Sequence, residues 1–129
     1  EIPLRLVGSE MCIRDRYEIN KDYNAESRAK PNKKMDAMLK DAEPYTIIGI
    51  HNHPGSSVPS MGDLLACLYR QYKCGVVVCH DGKIYKYFVD EEKFNQVLAH
   101  FALDNLERTG YTDEVKKQFV DAGVCLEVL

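Results

Sequence analysis

Two histidines one residue apart, His51 and His53, are followed by Ser60 and Asp63 within the stretch "HNHPGSSVPSMGD". Imidazole nitrogens and carboxylate oxygens are both ligands that zinc accepts. Two histidines and one carboxylate leave a fourth tetrahedral position for water, the mark of a catalytic rather than a structural zinc site. Each part also has a plainer reading. Ser60-x-x-Asp63 is a variant of the capping box, which needs only a helix start. A His-x-His pair on a strand can be two buried, hydrogen-bonded imidazoles. Capping alone does not explain why a buried strand should end in His-x-His-Pro, turn, and reach Ser-x-x-Asp at the next helix. The joint pattern points to one zinc ion held by His51, His53 and Asp63.

The flanking sequence supplies elements that could position these groups. "YTIIGIH" is β-branched and apolar on both faces, as expected of a buried strand. Alternation on that strand sends His51 and His53 to one face and Asn52 to the other. Pro54, Gly55 and Pro59 punctuate a turn. Ser60 then caps a helix whose stripe is Leu64, Leu65, Leu68 and Tyr72. Upstream, "YEIN" is a short strand, a polar loop runs through Lys30, and "PNKKMDAMLKDAE" is an amphipathic helix that Pro44 ends. Downstream, "CGVVVCH" and "KIYKYFV" are strands joined at an Asp-Gly hairpin signal. "DEEKFNQVLAHFALDNLER" is a helix with an acidic first turn and apolar positions Phe94, Val97, Leu98, Phe101 and Leu106, stopped by Gly110. "TDEVKKQFVDAG" is a shorter helix capped by Thr112, and "VCLEVL" a last strand. The alternation predicts a single α/β domain, a mixed β-sheet flanked by helices, over residues 17–129.

The first sixteen residues are set apart. "LVGSEMCIRDR" looks like a translated sequencing-adapter remnant, so residues 1–16 are read as a non-native segment with the natural N-terminal part of the domain missing. Their apolar pattern alone would permit a short strand.

Composition narrows the function classes. The 129 residues are 45% hydrophobic and 29% charged with a net charge of -3, ordinary for one globular domain and without the basic footprint of a nucleic-acid binder. The basic run "AKPNKK" reads as a solvated face. No apolar run reaches the length of a membrane span. Five cysteines, an odd number without a C-x-x-C pair, indicate neither a disulfide framework nor a four-cysteine zinc site. Set in apolar runs, they read as small buried hydrophobes of a reducing compartment, so a cytoplasmic location is expected.

The histidine-rich stretch resembles the signature of the JAMM (also MPN+ or JAB) metalloprotease family, which runs His-x-His-Pro, six further residues, then Ser-x-x-Asp; here the spacer, Gly55 to Pro59, is five residues. The His-x-His-Pro and Ser-x-x-Asp elements are matched, with a spacer one residue shorter, and the likeness extends over most of Tyr17 to Val89. Within the family, "HNHP" and the short turn are most similar to the bacterial RadC-like and phage-associated JAB branches. The Asp-His pair of RadC proteins is not matched by "VVVCHDGKIY". The resemblance implies the layered JAB/MPN architecture, similar to that of cytidine deaminases. It implies zinc on His51, His53 and Asp63, and a Ser60 hydroxyl that helps to position water or stabilise the tetrahedral intermediate. The activity implied is hydrolysis of a peptide or isopeptide bond in a peptide or protein substrate. Two other readings stay open: a catalytically silent JAB-like binding module, and a RadC-like protein associated with DNA processing.

The family also uses an upstream glutamate as general base. Glu18 and Glu26 lie too near the motif in sequence, and Glu1 and Glu10 lie in the segment set apart. The expectation is therefore a chain that binds zinc and hydrolyses poorly. Elsewhere, Cys79, His80 and Asp81 read as a strand end and turn, His100 as a core-edge or exposed helix residue, and the tyrosines of "YRQY" and "YKY" as core and surface aromatics. Asn52 could reach substrate or simply pack.

Overall fold

The computed structural model describes residues 8–13, 16–21 and 33–129. Over these, the chain forms β1 (Gly8–Ile13), β2 (Arg16–Lys21), α1 (Lys33–Asp41), β3 (Ile47–His53), α2 (Met61–Tyr69), β4 (Cys74–Cys79), β5 (Ile84–Val89), α3 (Gln96–Thr109), α4 (Asp113–Asp121) and β6 (Val124–Val128). The strands make one mixed sheet in the order β2-β1-β3-β4-β5-β6. β3 and β4 are parallel, joined through α2, and every other neighbouring pair is antiparallel. This is the single α/β domain with a mixed sheet that the alternation predicts.

Gly8–Ile13, inside the segment set apart as non-native, is a strand of this sheet and pairs with β3. The polar loop through Lys30 and the Pro31 helix start lie outside the described residues.

The site sits on the face of β3 that carries Ile47, Gly49, His51 and His53. A Cβ at Gly49 would meet the Tyr72 ring at 2.6 Å, so this face is the one on which the segment after α2 packs. Gly49 pairs in register with Gly75, where a Cβ would overlap the ring of buried Tyr87. Two adjacent glycines thus open a slot for two tyrosine rings. Gly75→Ala is expected to lower the unfolding free energy by about 1–3 kcal/mol, seen as an earlier urea midpoint with unchanged slope. Wild-type stability in that variant would mean that the Tyr87 ring swings clear at no cost.

The core joins Leu64 and Cys67 of α2 to Val77 and Cys79 of β4, Tyr85, Tyr87 and Val89 of β5, and the inner residues of α3, α4 and β6. Here four expectations need correcting. Tyr72 is buried but lies beyond α2, whose inner positions are Leu64 and Cys67. α3 begins at Gln96 and not at Asp90. The Asp90 side chain instead accepts the Glu92 N–H in a turn, Asp90 and Asn95 N–H groups donate to Gly123 and Ala122 carbonyls, and Asn95 Oδ1 caps the helix through the Leu98 N–H. The inner face of α3 is Ala99, Ala102, Leu103 and Leu106, leaving Val97, Leu98 and Phe101 exposed. Small side chains suit the close approach of α3 to α4, and that contact, not hydrophobic rank, sets which face turns in. Cys125 is also exposed rather than buried, because it alternates outward on β6 between buried Val124 and Leu126. Among the described residues no helix is long and apolar enough to cross a membrane.

Candidate metal centre

Strand alternation and helix capping meet at one point. His51 and His53 project from the end of β3, and their rings lie 4.9 Å apart between centroids. After His53 the chain reverses. The Ser56 N–H donates to the His53 carbonyl at 3.0 Å, and Ser56 holds a left-handed φ of 53°. Pro59 is fully buried and fixes the return of the chain to the sheet. Ser60 is extended (φ -91°, ψ 165°) and caps α2: its Oγ accepts the Asp63 N–H at 3.1 Å. Reciprocally, the Ser60 N–H donates to Asp63 Oδ2 at 2.7 Å. The capping box is therefore complete, and it aims the Asp63 carboxylate back at the strand end.

Three ligand atoms converge there. His51 Nε2 and His53 Nε2 are 3.1 Å apart, His51 Nε2 is 2.9 Å from Asp63 Oδ1, and His53 Nε2 is 3.3 Å from Asp63 Oδ2. Ligands about 2.0–2.1 Å from a tetrahedral zinc stand roughly 3.3 Å from one another. The observed spacings, each histidine facing its own Asp63 oxygen, are close to that size. The three side chains keep 24%, 16% and 15% of their surface exposed in the order His51, His53, Asp63, so the group is sheltered yet reachable.

The tautomer of His53 follows from its other nitrogen. Nδ1 lies 3.0 Å from the Ser57 carbonyl oxygen, which only accepts, so Nδ1 carries the hydrogen. In the neutral ring Nε2 then presents its lone pair to the cluster, as a metal-ligating histidine does. Without a cation the imidazoles and the Asp63 carboxylate are each other's partners. Burial alone would push the His53 imidazole down, but the hydrogen bond it donates to Asp63 and the charge of that carboxylate raise it above the ordinary value. Burial would push Asp63 up, yet the hydrogen bonds of His51 and His53 hold its carboxyl far below the usual range.

The structure thus brings together all three expected ligands, with Ser60 beside them at the cap. Among the described residues they form the group of histidines, cysteines and carboxylates able to hold a metal ion. Glu10 in β1 is the register partner of Ile50, one residue before His51, while Glu18 in β2 is the partner of Met11, one strand further out. Glu1 and Glu26 lie outside the described residues. Asn52 is buried at 5% exposure, on the opposite side of β3 from the histidines. His80, Asp81 and His100 are exposed and stand apart from this group, with Asp81 Oδ1 accepting the Lys83 N–H inside the hairpin turn.

Three groups at the site escape the sequence reading: Ser56, the Ser57 carbonyl and Cys79. Cys79 is fully buried and stands beside His53 in the parallel register of β3 and β4. A backbone carbonyl leaves no trace in residue types. The position of Cys79 had a signal, since a strand–helix–strand unit places the two strand ends side by side. Compared with known proteins, the chain matches no family model, no curated protein and no solved structure.

Proposed function

We propose that this protein is a zinc-dependent peptidase of the JAMM type on a JAB/MPN-like sheet, cleaving a peptide or isopeptide bond in the cytoplasm. The observation that carries this reading is the convergence of His51 Nε2, His53 Nε2 and the two oxygens of Asp63 at spacings of 2.9–3.3 Å. The donor set of two imidazoles and one carboxylate suits zinc and leaves a coordination position open. When bound, zinc supplies Lewis-acid polarisation of an acyl carbonyl and acidifies a water nucleophile. The free thiols at Cys67, Cys74 and Cys79, all buried, agree with a reducing compartment.

The chain's own residues divide the remaining work. His51 and His53 hold the ion from a rigid strand, and the Ser57 carbonyl fixes the His53 ring. Asp63 supplies the third ligand while the Ser60 N–H holds its Oδ2 from behind. Ser60 Oγ accepts the Asp63 N–H, so its own proton is the one that can be donated to a substrate oxygen. Among the described residues the cluster holds one carboxylate, Asp63, and on this reading no glutamate of the chain serves as general base. General-base assistance is worth about 100- to 10,000-fold, and turnover is expected to be slower than an assisted enzyme by about that factor.

The test is metal analysis with hydrolysis. The chain reconstituted with zinc and dialysed is expected to retain one ion. It should cleave peptide or isopeptide-linked substrates slowly, and a chelator should stop the cleavage. Failure to retain zinc would overturn the site, and cleavage unchanged by chelation would overturn the reaction. Robust turnover would overturn the missing base and return attention to Glu10 and Glu18.

A further inference from the structure

We propose that the buried thiol of Cys79 is a positioning residue for His53, acting through the Ser57 carbonyl; the inference rests on the metal-site reading above. Cys79 is the register neighbour of His53 on the adjoining parallel strand and is 0% exposed. Its Sγ lies 3.5 Å from the Ser57 carbonyl oxygen, within the range of a thiol hydrogen bond. That oxygen also accepts His53 Nδ1–H at 3.0 Å. A carbonyl has two lone pairs, and here one is taken by the ring and the other by the thiol.

The arrangement answers a local problem. Ser57 is exposed, in a turn of the chain between His53 and Pro59 that has no regular structure to fix its carbonyls. The thiol reaches that carbonyl from the protein interior. Burial, reinforced by the negative charge of Asp81, pushes the thiol above its ordinary value and keeps it a donor. A second tie lies next to it: the Asp81 N–H donates to Ser56 Oγ at 3.0 Å. The hairpin after β4 therefore holds the turn at two consecutive serines. Ser57 Oγ, 3.1 Å from the same Nδ1, is a competing acceptor for the ring hydrogen. With the carbonyl anchored, Nδ1–H has a fixed partner and Nε2 is kept for the metal. Valine would fill the position of Cys79 but offer no donor.

The experiment uses the full chain with Cys79→Val, Cys79→Ala and Cys79→Ser. Alanine is run beside valine because it cannot overpack the site, and serine restores a donor. In metal-free protein at alkaline pH, imidazole nitrogen-15 spectra are expected to show His53 as the Nδ1–H tautomer in wild type and Cys79→Ser. Cys79→Val and Cys79→Ala should show a mixture. Partners behind a ligating histidine are worth about 10- to 100-fold in metal affinity, and a thiol donor acting at one remove is expected at about tenfold by zinc competition. The visible bands of the cobalt-substituted protein should shift in the same two variants and return in Cys79→Ser. A single tautomer with wild-type affinity in Cys79→Val and Cys79→Ala would overturn the proposal. If wild type takes up no metal, the metal-site reading falls, and the tautomer spectra alone decide the role of Cys79.

Discussion

His51→Ala is expected to lower zinc affinity by about 100- to 1,000-fold while leaving α2 capped and the domain folded. The magnitude follows from the ligand count. Structural zinc sites in small peptides bind with apparent free energies of about 10–16 kcal/mol over four ligands, or about 3–4 kcal/mol for each. The specificity of the effect follows from geometry. His51 Nε2 touches Asp63 Oδ1, whereas the cap uses Oδ2 and the backbone of Ser60. Ser60→Ala should do the converse. It removes the hydroxyl that accepts the Asp63 N–H, at about 0.5–2 kcal/mol of stability, and keeps all three ligands. Asp63→Ala should lose both at once. Zinc competition and urea unfolding on the three variants check the pattern. If Ser60→Ala lost as much metal affinity as His51→Ala, the capping box and the ligand set would be one inseparable unit. If His51→Ala bound zinc like wild type, the site would be wrong.

That the cap and the site share Asp63 explains why so much of this centre was legible in the sequence. Strand alternation sets which side of β3 His51 and His53 occupy, and a helix start at Ser60 sets where Asp63 points. Both are local rules, and both act within thirteen residues. What lay beyond local rules was harder to read. The Ser57 carbonyl carries no residue signal. Cys79 looked like a small hydrophobe in "GVVVCH", and only the parallel register of β4 beside β3 gives its thiol a partner. In α3 the large apolar residues Val97 and Phe101 suggested the inner face, but the alanines pack inward and those two are 65% and 62% exposed. Hydrophobic rank misleads where helices approach closely. At the other end of the chain, Gly8–Ile13 takes the central position between β2 and β3 that only long-range pairing could assign.

With chelator present, the stability of this domain is expected to fall as pH rises through the neutral range; with saturating zinc it is expected to rise. The metal-free slope comes from the ion pair. The pKa of His53 is raised in the folded state, so its stabilisation is complete below the ordinary imidazole value of about 6.5 and is lost as pH climbs through the folded value. Asp63 is depressed, so its contribution is present above 3.8 and is lost only as pH falls towards its far lower folded value. The two overlap between these limits, in mild acid. Zinc reverses the slope because it needs both imidazoles deprotonated, and protons compete with it wherever the imidazoles are still charged. At a zinc concentration about 100 times Kd the added stability is about 2.7 kcal/mol. For a domain of this size that is roughly 10 °C in Tm. Scanning calorimetry across the pH range, with chelator and with zinc, checks both slopes. Asp63→Asn is the control, since it removes the carboxylate charge on which the metal-free slope depends. Parallel curves with and without zinc would show that the ion occupies some other place. A metal-free slope unchanged in Asp63→Asn would show that the pair of His53 and Asp63 is not its source.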